Sequence, residues 1–235
     1  MPEDTGSERY AQARFRRPPG STELLIVRHG ESEPADPARP FPLVDGQGDP
    51  ALAPAGRAQA ALVAERLAGE PIAAIYVTSL RRTHETAAPL AARLGLTPIV
   101  EADLREVHLG EFEGGAYRKH VAEGHPIIAR MFEAQRWDVI PGAEPADVFA
   151  TRVNGAVARI ASRHPDQTVA VFVHGGTIGQ ILAAACGATH GFAFVGSDNG
   201  AISHLVVAGE RWIIRRYNDT AHLTSAFTEA PQPLT

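Results

Sequence analysis

The chain is 235 residues long, carries 22 Lys+Arg against 27 Asp+Glu for a formal net charge of −5, and is 44% hydrophobic. That length suits one large domain or two small ones and buries a core without help from disulfide or metal. The single cysteine, Cys186, excludes an intramolecular disulfide and a cysteine-rich zinc site, and the acidic balance argues against a sequence-independent grip on nucleic acid.

Residues Met1 to Ser21 are polar, locally basic through Arg9, Arg14, Arg16 and Arg17, and end at Pro18-Pro19-Gly20. They read as a disordered tail. They lack the apolar run of a secretory signal, and no later run reaches the roughly 18 apolar residues of a membrane span. The expectation is a cytoplasmic protein with no membrane partner. Leu24 to Val27 is a short continuous apolar run, as in a strand buried on both faces, and it ends at Arg28-His29-Gly30. Glu31 to Pro50 is crowded with Pro, Asp and Gly and reads as a long loop; Gly46-Gln47-Gly48 within it lacks the third glycine of a dinucleotide fingerprint. A helix is predicted over 54–67 with Pro54 in its first turn, a strand over 72–77, and a helix over 80–94 closed by Gly95.

A short strand is expected near 98–100, followed by an irregular stretch over 101–115 and short helices around 116–123 and 127–136. A longer amphipathic helix follows over 145–163. Val169 to Val173 is a strand running into His174-Gly175-Gly176, with helix resuming over 178–186. Residues 201–207 and 212–217 form a terminal antiparallel pair turning at Gly209-Glu210. Strands alternating with helices indicate an α/β sandwich with a mostly parallel sheet. With no repeat and no interdomain linker, one domain over 22–223 is expected, followed by a C-terminal tail over 224–235.

An open α/β sheet builds its site outside the carboxyl ends of its strands. Two such ends here carry histidine followed by glycine, at His29-Gly30 and His174-Gly175. A third element, Ser79-Leu80-Arg81-Arg82-Thr83, opens a helix, and Glu106 lies in the irregular stretch. Together they supply two imidazoles, several guanidiniums, a helix N-terminus and a carboxyl group. Guanidinium forks match phosphate oxygens, free helix N–H groups bind anions, a histidine can be a nucleophile, and a carboxyl can serve as acid and then base. The remaining histidines have no metal-ligand spacing, so no metal site is expected; His108, two residues past Glu106, is the one placed to line a pocket.

Leu25-Ile26-Val27-Arg28-His29-Gly30-Glu31-Ser32 resembles the signature of the histidine phosphatase superfamily, the phosphoglycerate-mutase-like enzymes. Leu52-Ala53-Pro54-Ala55-Gly56-Arg57-Ala58-Gln59-Ala60 is similar to that family's Leu-Thr-x-x-Gly-x-x-Gln-Ala helix start, with Ala53 where threonine is usual. Thr78-Ser79-Leu80-Arg81-Arg82-Thr83-His84-Glu85-Thr86-Ala87 resembles its Ser-Pro-Leu-x-Arg-Ala-x-Gln-Thr-Ala, which puts the phosphate arginine on Arg82 and leaves Arg81 at a variable position. Leu104-Arg105-Glu106 with Gly110-Glu111-Phe112-Glu113-Gly114 resembles the acid-bearing stretch, with Phe112 for the usual tryptophan. Val173-His174-Gly175-Gly176 resembles the second-histidine motif, and Asn218 to Leu223 is similar to the family's terminal segment. The similarity runs over about residues 22–223 in the family's order.

The resemblance implies a three-layer, phosphoglycerate-mutase-like sandwich and a reaction without metal or cofactor. In it His29 attacks phosphorus and becomes phosphohistidine. Arg28, Arg82 and His174, with a backbone donor near Gly175, hold the phosphoryl oxygens, and Glu106 protonates the leaving group and then activates water. Gly30 and Gly175 would let the backbone come close to the anion. The stretch after Glu106 looks like the phosphatase branch, and Ala35 stands where mutases carry an asparagine. A phosphomonoesterase acting on a small phosphorylated metabolite is therefore expected. The alternatives are a phosphoglycerate mutase and a catalytically silent phosphate-binding protein. Nothing in the sequence fixes the substrate, and a homo-oligomer is left open.

Overall fold

The computed structural model describes residues 11–194 and 196–224. Its centre is a six-stranded sheet ordered β5-β4-β6-β1-β7-β8. The strands are β1 (Thr22–Arg28), β4 (Ile72–Val77), β5 (Ile99–Val100), β6 (Thr168–Val173), β7 (Ile202–Ala208) and β8 (Arg211–Asp219); β2 (Leu43–Val44) and β3 (Gln47–Gly48) pair separately. β5, β4, β6 and β1 run parallel, while β7 and β8 are antiparallel. This is the mostly parallel sheet expected from the sequence.

Among the described residues six α-helices accompany the sheet: α1 (Pro54–Leu67), α2 (Arg81–Leu94), α3 (Ala116–Ala122), α4 (Pro126–Ala134), α5 (Ala146–Arg163) and α6 (Gly175–Cys186). Strand side chains alternate between two faces. Leu25, Val27, Ile75, Val77 and Phe172 pack with Val63 and Leu67 of α1 and Leu90 of α2. Leu24, Ile26, Tyr76, Val171 and Val173 pack on the other face with Val153 and Ile160 of α5 and Ile181 of α6. The central strands are covered on both sides, which is why they read as unbroken apolar runs. Each fully buried Ile, Val, Leu or Phe contributes roughly 1.5–3 kcal/mol by leaving water. Helix–sheet–helix is the three-layer sandwich, with α3 and α4 joining the second core.

Two expectations are revised. The loop over 31–50 contains the small β2–β3 pair and is pinned where Glu113 accepts from Gly48 N at 2.8 Å and from Leu109 N at 2.8 Å. The N-terminal segment is docked in its second half: Arg215 lies 3.8 Å over the Phe15 ring, Arg17 donates to the Asp166 carbonyl at 2.6 Å, and Gly20 N donates to the Asp166 carboxylate at 2.7 Å. Residues 1–10 and 225–235, the rest of the two expected tails, lie outside the described residues. Among the described residues no helix is long and apolar enough to cross a membrane.

Candidate active site

β1 and β6 lie side by side, with Arg28 opposite Val173, so His29 and His174 emerge together at the carboxyl edge of the sheet. Their ring centroids are 5.3 Å apart. His29 N donates to the Val173 carbonyl at 2.9 Å, and Asn199 Nδ2 donates to the His29 carbonyl at 2.9 Å. The loop carrying Asn199 is braced by Asn218, whose Oδ1 accepts from Asp198 N at 2.7 Å and whose Nδ2 donates to the Asp198 carboxylate at 3.0 Å. The terminal segment of the sequence thus braces the backbone around His29.

His29 Nδ1 lies 2.7 Å from the Gly30 carbonyl, which can only accept, so the proton sits on Nδ1 and Nε2 keeps its lone pair. Burial, then the charges of Arg82 and Arg28, hold the imidazole pKa well below its ordinary 6.5, so the ring is neutral. His174 is held low by burial, then by Arg82. Its Nε2 lies 3.0 Å from the Thr78 hydroxyl, and Thr83 Oγ1 donates to the Leu80 carbonyl at 2.8 Å, which leaves the Thr78 proton available to Nε2. With Nε2 accepting, Nδ1 carries the hydrogen. Nδ1 is buried and has no hydrogen-bond partner among the described residues, so it is a donor suited to an anionic oxygen.

Arg28 and Arg82 are buried, and burial pulls both guanidiniums down to about 10, so they stay cationic at neutral pH. Arg28 donates to the Ser197 carbonyl, and Arg82 Nη1 to the Gly48 carbonyl at 3.0 Å. Arg81 stands outside, its Nε 2.5 Å from Glu85 Oε1 one helical turn away. Arg82→Ala is therefore expected to lower kcat/KM about tenfold to a hundredfold by removing charge-assisted contacts. Arg81→Ala removes an exposed pair and should change it by less than about threefold. Comparable losses at both positions, measured by phosphate release, would overturn the assignment.

Glu106 is placed by the first turn of α6. Gly176 N donates to Oε2 at 2.9 Å and Thr177 N to Oε1 at 3.1 Å. A Cβ on Gly176 would lie 2.5 Å from Oε1, so any larger residue would push the carboxylate from this position. The helix begins at Gly175 and not at Ile178, because Glu106 takes up amide groups that a helix start leaves unsatisfied. Gln47 Nε2 and Arg152 Nη2 donate to the Glu106 carbonyl at 2.6 and 2.8 Å. Gly175 opens α6 directly after His174. At Gly30 a Cβ would lie 2.5 Å from the Gly56 carbonyl, so its absence allows close packing against α1. His108 accepts from Gly110 N at 3.0 Å and does not line the cavities around His29.

Two cavities meet at His29. The inner one, about 70 Å³, is lined by His29, Arg82, Glu106, Gln47 and Phe112; the outer one, about 620 Å³, by His29, Ser32, Ala35 and Asn199. Tyr117 and Arg118 of α3 border both. Sequence reasoning missed these two, along with Gln47, Thr78 and Gly176. An open imidazole nitrogen, two buried guanidiniums and a carboxyl held at a helix start are the parts that a phosphoryl-transfer site needs. Among the described residues no group of three or more His, Cys, Asp or Glu side chains is placed to hold a metal ion.

The histidine phosphatase superfamily (branch 1) matches residues 24–220. A phosphoglycerate mutase-like protein 4 of Arabidopsis thaliana is 33% identical over 205 residues, 86% of each chain. A metal-independent phosphoserine phosphatase of the same plant is 32% identical over 87% of this chain and 84% of its own. Among solved structures, a mycobacterial glucosyl-3-phosphoglycerate phosphatase superposes with a TM-score of 0.68 at 28% identity, covering 83% of this chain and 98% of that one. The chain belongs to the histidine phosphatase superfamily, branch 1.

Proposed function

We propose that the protein is a metal-independent phosphomonoesterase that works through a phosphohistidine on His29. The observation that carries this reading is the His29 tautomer: the Gly30 carbonyl accepts a hydrogen bond from Nδ1–H and leaves Nε2 open beside two buried guanidiniums. In the first step Nε2 donates its lone pair to phosphorus while the P–O ester bond breaks, and Glu106 gives its proton to the departing alkoxide. Arg28, Arg82 and the Nδ1–H of His174 hold the phosphoryl oxygens as charge shifts onto them. In the second step the Glu106 carboxylate takes a proton from water, the water oxygen attacks phosphorus, and the P–N bond breaks to restore His29 and release phosphate. Relatives named as phosphatases, one of them as metal-independent, support hydrolysis over isomerisation. The silent-scaffold reading has no support, since every position the chemistry needs is filled.

The deciding experiment supplies 3-phosphoglycerate with and without 2,3-bisphosphoglycerate and follows both products, with a chelator present. Phosphate release well above isomerisation, unchanged by chelator, is expected. Primer-dependent 2-phosphoglycerate with little free phosphate would replace hydrolysis by mutase chemistry. The same assay run against pH tests the electrostatics. Because the His29 pKa is held well below 6.5, its nucleophilic form persists as pH falls through 6.5, and kcat/KM should show its acid limb below that value. An acid limb at or above 6.5 would contradict the environment described. The shift has a matching effect on stability. Unfolded imidazoles take up protons near 6.5 and the buried pair does not, so acid favours the unfolded chain. Stability declines from there downward by on the order of 1 kcal/mol per pH unit per imidazole.

A further inference from the structure

A carboxyl that moves protons must be held in place, yet Glu106 belongs to neither helix nor strand. The first turn of α6 holds its side chain. Its backbone is held from another direction, by α5. Arg152 Nη1 donates to the Asp103 carbonyl at 2.7 Å and to the Arg105 carbonyl at 2.8 Å, and Nη2 donates to the Glu106 carbonyl at 2.8 Å. The remaining edge of the guanidinium, Nε and Nη2, donates to Glu144 Oε1 and Oε2, both at 2.7 Å. All five N–H groups are thus used, three of them on one short stretch of irregular chain.

Glu144 is itself tied to the chain just past Glu106. Its N donates to the His108 carbonyl at 2.9 Å, and its Oε2 accepts from His108 N at 3.3 Å. The guanidinium carbon of Arg152 lies 4.8 Å over the Phe149 ring, and the Arg152 and Glu144 side chains are 18% and 12% exposed. A mostly buried ion pair is a poor source of net stability, and its best-attested use is to fix one arrangement of the chain. Arg152 lines neither cavity at His29, and with every donor engaged it has none to offer a substrate. We propose that Arg152, oriented by Glu144, is a positioning residue for proton transfer: it sets the backbone of residues 103–106 so that the Glu106 carboxyl meets the oxygen leaving phosphorus. The inference rests on the reading of Glu106 as the acid and of His29 as the phosphoryl acceptor. A lysine cannot do the same, since its ammonium lacks the planar fork that spans three carbonyls and a carboxylate.

The test reads kcat/KM, which reports the step in which the leaving group departs, for 3-phosphoglycerate and for p-nitrophenyl phosphate. Arg152→Gln should lower it about tenfold to a hundredfold for the alkyl ester, the cost of a misplacement on the order of 1 Å. For p-nitrophenyl phosphate, whose leaving group needs no proton, the loss should stay below about threefold. Arg152→Lys and Glu144→Gln are milder changes and should show the same contrast at smaller size, so the test stands even where Arg152→Gln does not fold. A second arm repeats Arg152→Gln in a Glu106→Gln background. There it should cost less than about threefold with either ester, because a residue that acts through Glu106 has nothing left to position. No loss, equal losses with the two esters in all three variants, or the full loss persisting in the Glu106→Gln background would overturn the proposal. The leaving-group contrast in Glu106→Gln itself separates the two readings. Its presence without any contrast at Arg152 would defeat the positioning role alone; its absence would defeat the acid assignment and the positioning role with it.

Discussion

Replacing His29 by alanine is expected to lower kcat for any phosphomonoester by on the order of 10³-fold or more, because the covalent route disappears with its nucleophile. The protein should still fold. The side chain makes one hydrogen bond, to the adjacent Gly30 carbonyl, and it is a buried imidazole held neutral against its charged form. Losing it removes chemistry while the strands behind it stay packed. Two measurements separate these effects: steady-state phosphate release, and the thermal midpoint followed by circular dichroism. Brief exposure of wild type to labelled substrate, quenched in base, should trap a phosphoprotein that is stable to base and labile to acid. His29→Ala should show no such adduct. A fully active alanine variant would end the covalent scheme.

Glu106→Gln should reduce turnover of alkyl phosphates by about 10²- to 10⁴-fold, the usual contribution of a positioned acid–base group. The loss should shrink sharply for p-nitrophenyl phosphate, whose leaving group needs no proton. That contrast distinguishes an acid from a structural carboxylate. Gly176→Ala makes the same point from the other side. It leaves Glu106 in the chain but sets a methyl group 2.5 Å from where Oε1 now lies, so the carboxylate must move. Its losses should follow the same leaving-group pattern. Equal losses with alkyl and p-nitrophenyl esters in both variants would remove Glu106 from the proton-transfer role.

The elements that were legible in the sequence are those whose signals are local. Leu24 to Val27 and Val169 to Val173 read as strands because both their faces are covered, and α1 declares its first turn through Pro54. Arg28, His29, Arg82 and His174 were legible as candidates because strand ends and a helix start carry them. The start of α6 was not. Gly175-Gly176 argues against helix on propensity, and the reason for Gly176 lies in Glu106, some seventy residues away. The same limit hid Arg118, since nothing near it in sequence reports that Ser32 and Glu33 lie against it. The N-terminal segment followed a similar course, its Phe15 being covered by Arg215 of the last strand.

The central position of β1 and β6 has a consequence for how the molecule comes apart. Each is hydrogen-bonded to a neighbour on both sides, β6 between β4 and β1, and β1 between β6 and β7. Backbone amides in such strands exchange with solvent only when the whole domain opens, whereas loops and short helices open sooner. His29 and His174 belong to the slow set. The Glu31–Pro50 loop and α3, which form much of the outer cavity, belong to the fast one. Near its denaturation midpoint the protein should therefore lose the walls of the outer cavity before the strands that carry His29 and His174 come apart.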